Sequence, residues 1–325
     1  MQALSANPRH IDERNFPVDG TLEEQWCFWL QYALLAPSEY NTQPWLFHIR
    51  GDSVEVYLDW SRRLPIVDPE DRELLISAGA ACLNLQMAIR HFGYQVQTEY
   101  LLDDLANSAL LARLSRGLKQ APTMEEDHLF LAIPQRRSNR TPFSERGVPE
   151  AIVKRLELQA GREGAWLMAL DDPSLRLEIA QLIREGDQLQ WADKAFRAEL
   201  AQWLHPRFPT NSDGLPGEVE PRGSSQKTTN PLVVRTVNRW ADEFVRDQQL
   251  VGGAPLLVIL GTFADTRADW FAAGMAAERV LLEACAGGLQ TSFVNQPNQN
   301  PALRKKLCQL LGRKDSPQLV LRFGY

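Results

Sequence analysis

The sequence predicts an α+β fold in which two fused repeats pack as an internal pseudo-dimer. Two long apolar helices rich in small residues carry this prediction, ELLISAGAACLNLQMAIRHF (73–92) and DWFAAGMAAERVLLEACAG (269–287). Ala78-Gly79 in the first matches Ala273-Gly274 in the second, and each helix meets another glycine fourteen residues later, Gly93 and Gly288. Arg72 and Arg267 keep the same 195-residue offset, so the correspondence runs without a gap. Strands on both sides of each helix also correspond, which favours duplication over two unrelated buried helices. Small residues let two helices approach closely, so one helix from each half can pack at the centre of a single body.

The elements follow in order. Residues 21–35 read as a helix: Thr21 caps it, Glu24 stands at capping-box spacing, and Trp26, Leu30 and Ala33 share a face. Pro37 ends it, and APSEYNTQPW (36–45) follows. WLFHI and SVEVYLDW read as two strands with Arg50-Gly51-Asp52 turning between them. After the first small-rich helix, Gly93 is placed to terminate it and YQVQTEYLL reads as a strand. LARLSRGLKQAPTMEEDHLF (111–130) reads as a connector between the halves.

RRSNRTPF (136–143) then precedes a helix starting near Pro149, and 174–204 reads as one or two helices. HPRFPTNSDGLPGEVEPRGSSQKTTN (205–230) is rich in Pro, Gly, Ser and Thr; a lid over a pocket and a solvated surface loop both fit it. PLLVILGTF (255–263) and QLVLRFGY (318–325) are strands flanking the second helix. The halves divide as 1–125 and 126–325, with a lid insertion at about 174–250 in the second.

Composition narrows the function. The 325 residues are 44% hydrophobic, enough for a sizeable core. A net charge of −6, with no basic stripe, argues against nucleic acid. Nine tryptophans suit either core packing or a pocket that stacks on flat ligands. Cys27, Cys82, Cys285 and Cys308 are widely spaced, with no Cys-x-x-Cys, and read as reduced thiols of a cytoplasmic protein, Cys82 and Cys285 buried. MQALSANPRHIDERNFP has no apolar run and does not read as a signal peptide, and no stretch suits a membrane span. The histidines lack metal-ligand spacing, so no metal site is expected.

Two motifs carry chemistry. Arg136, Arg137 and Arg140 repel one another unless an anion lies among them, and the arginine fork suits phosphate oxygens. Ser138 adds a hydroxyl, although a solvated basic loop is the plainer reading of this stretch alone. There is no Gly-x-Gly-x-x-Gly after a strand and no Walker loop, so a mononucleotide phosphate fits better than a dinucleotide. Pro37 frees backbone groups at a helix end, and Ser38, Asn41 and Gln43 offer donors and acceptors suited to a flat heterocycle, or simply to a turn.

Taken together, Ala-Pro-Ser-x-x-Asn-x-Gln-Pro-Trp, Arg-Arg-Ser-x-Arg and a small-rich helix ending in glycine resemble the FMN-dependent nitroreductase family. The order of the motifs resembles its single-chain duplicated, Acg-like branch. The resemblance implies an α-β-α sandwich and a cofactor, FMN, held where the two halves meet. It implies that Arg136 and Ser138, with Arg137 beside them, hold the phosphate, and that Arg140 approaches flavin N1 and O2, its charge favouring the reduced anionic ring. Pro37, Ser38 and Asn41 would line the other side of the ring, and Asn295 and Gln296 align with the segment whose backbone amide bonds flavin N5. No catalytic side chain is implied, because the chemistry belongs to N5. The implied activity is reduction of a nitroaromatic, quinone or similar flat acceptor by NAD(P)H; the alternative is FMN sequestration with little turnover. HIDERNFP stands where a second arginine motif would fall, so one complete site and one relic are expected, with no dimer required. Two departures stand out: Glu39 occupies a position that is usually Ser, and the sequence stops at LRFGY where relatives continue to a basic pair.

Overall fold

The computed structural model describes residues 9–103, 108–205, 213–216, 231–236 and 251–325. Its spine is a pair of 20-residue helices, α2 (Arg72–His91) and α8 (Arg267–Ala286), which make the most extensive helix–helix contact among the described residues. They cross where both are thinnest. A Cβ on Gly79 would strike the carbonyl oxygen of Phe271, and a Cβ on Gly274 would strike that of Ile76. Residues 76 and 271, like 79 and 274, lie 195 apart, so the contact is reciprocal in the manner of a two-fold interface. Gly93 and Gly288 follow the two helices at φ +83° and +78°, a left-handed geometry that glycine tolerates without penalty.

In the first half, α1 (Leu22–Ala33) carries the capping box between Thr21 and Glu24. Strands β1 (Trp45–Arg50), β2 (Ser53–Leu58), β3 (Tyr94–Tyr100) and β4 (Leu110–Lys119) form an antiparallel sheet in the order β1-β2-β4-β3. The expected connector 111–130 is therefore corrected. Its first part, β4, is an inner strand paired with both β2 and β3, and its second is a capped helix, α3 (Met124–Ala132). Arg113 and Arg116 disguise β4, but Leu111, Ala112 and Leu114 are buried.

The second half opens with α4 (Glu150–Arg162) and β5 (Ala165–Ala169). The one or two helices expected at 174–204 are two, α5 (Pro173–Ala192) and α6 (Lys194–Gln202). They are followed by the two-residue strands β6 (Leu204–His205) and β7 (Leu215–Pro216) and by α7 (Pro231–Thr236). Strand β8 (Leu256–Thr262) leads to α8, then β9 (Gln290–Phe293), α9 (Gln296–Gln299), α10 (Pro301–Leu310) and β10 (Ser316–Gly324). The second sheet runs β5-β8-β10-β9, with edge and inner strands placed as in the first. Most of the 205–230 segment lies outside the described residues.

The four cysteines are free; Cys82 is buried, Cys285 and Cys308 are half-buried and Cys27 is exposed. The burial expected of Cys285 is thus only partial, because it faces the C-terminal end of α3 rather than the helix crossing. Among the described residues, no helix is long and apolar enough to cross a membrane.

Candidate functional site

A cavity of about 470 Å³ opens beside the α2–α8 crossing. Ile76, Ser77 and Ala80 of α2 and Gly274 and Ala277 of α8 form its floor. Small side chains keep this floor low, leaving room for a flat group.

The Arg-Arg-Ser-x-Arg loop reaches the cavity as an extra edge of the second sheet. Ser138 bridges to Thr291 of β9, and Asn139 donates its backbone N–H to the Thr291 carbonyl at 2.7 Å. Arg322 of β10, fully buried, clamps the loop from beneath. Its guanidinium donates to the carbonyls of Asn139 (2.7 Å) and Thr141 (3.1 Å), on either side of Arg140, and sits 4.3 Å from the Phe143 ring centre.

Arg136 is buried. It donates to the Leu35 carbonyl at 3.0 Å, and its Nε lies 3.4 Å from Oε1 of Glu278, which is fully buried in α8. Arg9 donates to the Arg136 carbonyl at 2.8 Å and also lines the cavity. Burial, then the charges of Arg136 and Arg137, push the Arg9 guanidinium down to about 10. Cations crowded in this way suit an anion.

The Pro-Ser-x-x-Asn turn faces these arginines. Ser38 Oγ accepts the Gln43 backbone N–H at 2.9 Å, and Arg62 donates to the Thr42 carbonyl at 2.6 Å. Asn41 and Gly214 exchange two hydrogen bonds, Gly214 N–H to the Asn41 carbonyl (3.1 Å) and Asn41 Nδ2 to the Gly214 carbonyl (3.2 Å). A third wall is the segment at the start of α9. Asn295 Nδ2 and Gln299 Nε2 donate to the Glu73 carboxylate, the latter at 2.9 Å, and Gln296 Nε2 donates to Asp187 at 3.0 Å. Trp191 of α5, Phe196 and Leu200 of α6 and Leu215 of β7 form an apolar roof.

Eight of the residues picked from sequence thus line one cavity: Pro37, Ser38, Asn41, Arg136, Ser138, Arg140, Asn295 and Gln296. Two do not. Arg137 is exposed and donates to the carbonyls of Pro134 and Arg136, bracing the loop from outside. Gln43 stands behind the turn, with its backbone tied to Ser38. Sequence reading passed over Arg9, Glu73 and Arg322. Arg9 stands just before HIDERNFP, the segment read as the relic of a second arginine motif, and reaches the arginine end of this cavity. Glu73 and Arg322 lie outside the two polar motifs, at the start of the first small-rich helix and in the closing strand, and only long-range folding brings them to the site.

No protein-family model matches the chain. Its sequence is similar to two Mycobacterium tuberculosis proteins, both provisionally named NAD(P)H nitroreductases. Rv3131 of strain H37Rv is 28% identical over 305 residues, covering 91% of this chain and 83% of its own. The protein acg of the same strain is 27% identical over 302 residues, covering 91% and 87%. Among solved structures, the FMN-dependent nitroreductase NfnB of Mycobacterium smegmatis, in complex with NADPH, is 16% identical, covers 61% of this chain and 87% of its own, and gives a TM-score of 0.38. A nitroreductase from Bacteroides fragilis with bound FMN is 14% identical, with coverages of 61% and 87% and a TM-score of 0.37. Over nine-tenths of its length the chain is thus similar to proteins that bear a nitroreductase name.

Proposed function

We propose that this protein is an FMN-dependent oxidoreductase of nitroreductase type, which passes two electrons from NAD(P)H to a flat acceptor such as a nitroaromatic or quinone. The observation that carries the reading is convergence. The Pro37–Asn41 turn, the Arg136–Arg140 loop and Asn295–Gln296 are remote in sequence, and they meet on one cavity. The donor set suits FMN. Arg9, Arg136 and Ser138 gather at one end for the phosphate, and the small-residue floor leaves space for the ring. Arg140, fixed by the Arg322 clamp, supplies positive charge toward the ring. When bound, FMN would accept and donate hydride at N5; the chain's own part is to hold it, orient the acceptor and exclude water. The names of the sequence relatives agree with this activity.

We further read the chain as a duplicated nitroreductase unit, residues 1–125 and 126–325, with one working site, no dimer needed to complete it, and a place in the cytoplasm. The reciprocal helix contact and the matched strand orders support the duplication. The single site is supported by what occupies the equivalent positions on the other face. At the 195-residue offset, Phe271 stands for Ile76, Met275 for Ala80 and Tyr100 for Asn295. The Tyr100 ring meets Phe271 at 5.6 Å, and its hydroxyl reaches Met275 Sδ at 3.4 Å, so large side chains fill that space.

A second reading, FMN sequestration, is favoured by the apolar roof that α5, α6 and Leu215 place over the cavity. The absorbance spectrum of the purified protein, followed by titration with NADH and NADPH, tests both. Flavin absorbance that bleaches and is restored by a quinone supports the enzyme. Flavin that resists reduction favours sequestration, and a colourless protein that binds no FMN removes both readings.

A further inference from the structure

The turn that forms one wall of the cavity is strained. Tyr40, Asn41 and Gln43 hold φ of 49°, 55° and 51°, three of the four positive-φ non-glycine residues described. Such conformations persist only where their surroundings over-determine them, and they cluster at functional sites. Here Ser38, Arg62 and Gly214 supply the restraint through the hydrogen bonds above. The result is that Glu39 is fixed in the cavity wall.

Glu73 of α2 lines the same cavity, and its carboxylate has partners, Arg72 (3.0 Å), Asn295 and Gln299, although burial pushes it up to about 7. Glu39 differs. Among the described residues, no side chain or amide donates a hydrogen bond to its carboxyl. The charged groups around it come from every neighbouring element. Arg72 is engaged by Glu73 and by the carbonyls of Gln318 and Asn298. Asp68 adds negative charge and accepts from the Leu74 N–H at 2.8 Å. Asp187 of α5 lines the cavity, and Glu199 of α6 faces the neighbouring Tyr40. Arg140 is the cation on the loop side. Carboxylates therefore outnumber cations at this end, opposite the arginine end that suits phosphate.

We propose that filling this cavity with a flavin takes up a proton, carried by Glu39 as a neutral carboxylic acid that offers a hydrogen-bond donor. This rests on the FMN reading above. A flat ring laid against the wall removes the remaining water from the carboxyl, which disfavours its charged form. The direction is already set in the protein alone: burial first, then the charge of Glu73, pushes Glu39 up to about 8, against the pull of Arg140.

The test is a titration of the apo full-length protein with FMN, by flavin fluorescence at pH 7, 8 and 9. It is paired with calorimetry near pH 8 in two buffers of different ionisation enthalpy. Riboflavin serves as a second probe, because a phosphate monoester itself titrates near pH 6. The expected result is uptake of up to about half a proton near pH 8 with either flavin, and affinity falling towards about tenfold per pH unit above 8. Glu39→Gln, a neutral donor at every pH, is expected to lose the fall in FMN affinity between pH 8 and 9 and to bind more tightly than the wild type at pH 9. Wild-type binding without proton uptake overturns the proposal, as does an unchanged pH dependence in Glu39→Gln. If the variant does not fold, the two-buffer measurement on the wild type decides alone. If neither flavin binds at any pH, the proposal falls because the cofactor assignment itself has failed.

Discussion

Arg136 and Glu278 form a buried pair, Nε to Oε1 at 3.4 Å, with side chains 4% and 0% exposed. The first arginine of the loop therefore serves the α2–α8 core as well as the cavity. Breaking such a pair strands a charge, which costs about 3–5 kcal/mol, whereas replacing both partners by apolar residues is often neutral. Arg136→Ala should thus lower the urea midpoint markedly, and Arg136→Met with Glu278→Leu should recover most of the loss. A wild-type midpoint in Arg136→Ala would show that the pair contributes little.

Arg140 separates binding from folding. It is exposed on the loop that Arg322 holds. Arg140→Ala should leave the denaturation midpoint nearly unchanged and weaken FMN by about 1.5–3 kcal/mol, the range for hydrogen bonds to charged groups. Fluorescence titration of apo-protein measures this, and unaltered affinity would remove Arg140 from the ring's surroundings.

The helix crossing should punish a single methyl. Gly79→Ala and Gly274→Ala each push a Cβ into the backbone of the partner helix, and overpacking typically costs about 1–3 kcal/mol. Because the contact is reciprocal, the two variants should lose similar amounts in thermal unfolding. A harmless Gly79→Ala beside a damaging Gly274→Ala would refute the reciprocity.

These relationships were unevenly legible in the sequence. Local chemistry revealed α1 through Thr21 and Glu24, and the central helices through their small residues and terminal glycines. Strand β4 was hidden because Arg113 and Arg116 break its apolar alternation; Arg113 is engaged by Glu55 at 3.0 Å and Arg116 by Gln25 at 2.7 Å. AWLMA, the whole of β5, was too short to stand out between two helices. At the site, residues inside motifs were found and their partners were not. Nothing in the order of the chain announces that Arg322 will reach the Asn139 carbonyl, or that Arg9 will lie against Arg136.

One FMN per chain is expected. Heat extraction and quantification against protein should give a ratio near one, because Phe271, Met275 and Tyr100 occupy the space opposite the working cavity. A ratio approaching two would contradict this.

Glu39 should also leave a mark on the stability of the apo-protein. Its pKa in the folded chain is raised from 4.5 to about 8, so the folded state holds the proton more tightly than the unfolded state. Its stabilising contribution is full below pH 4.5 and is lost as pH rises through 8. Urea midpoints at pH 6 and 9 should therefore diverge more in the wild type than in Glu39→Gln. Equal divergence would mean that Glu39 titrates normally.

Positions 76 and 271 take matching places across the crossing, yet one holds isoleucine and the other phenylalanine. In an assembly of two identical chains, a single codon writes both places, so any change that closes one pocket closes its twin. Here the two places are written separately. Selection could thus enlarge side chains on one face for firmness while keeping them small on the other, a freedom that a symmetric pair of chains does not have.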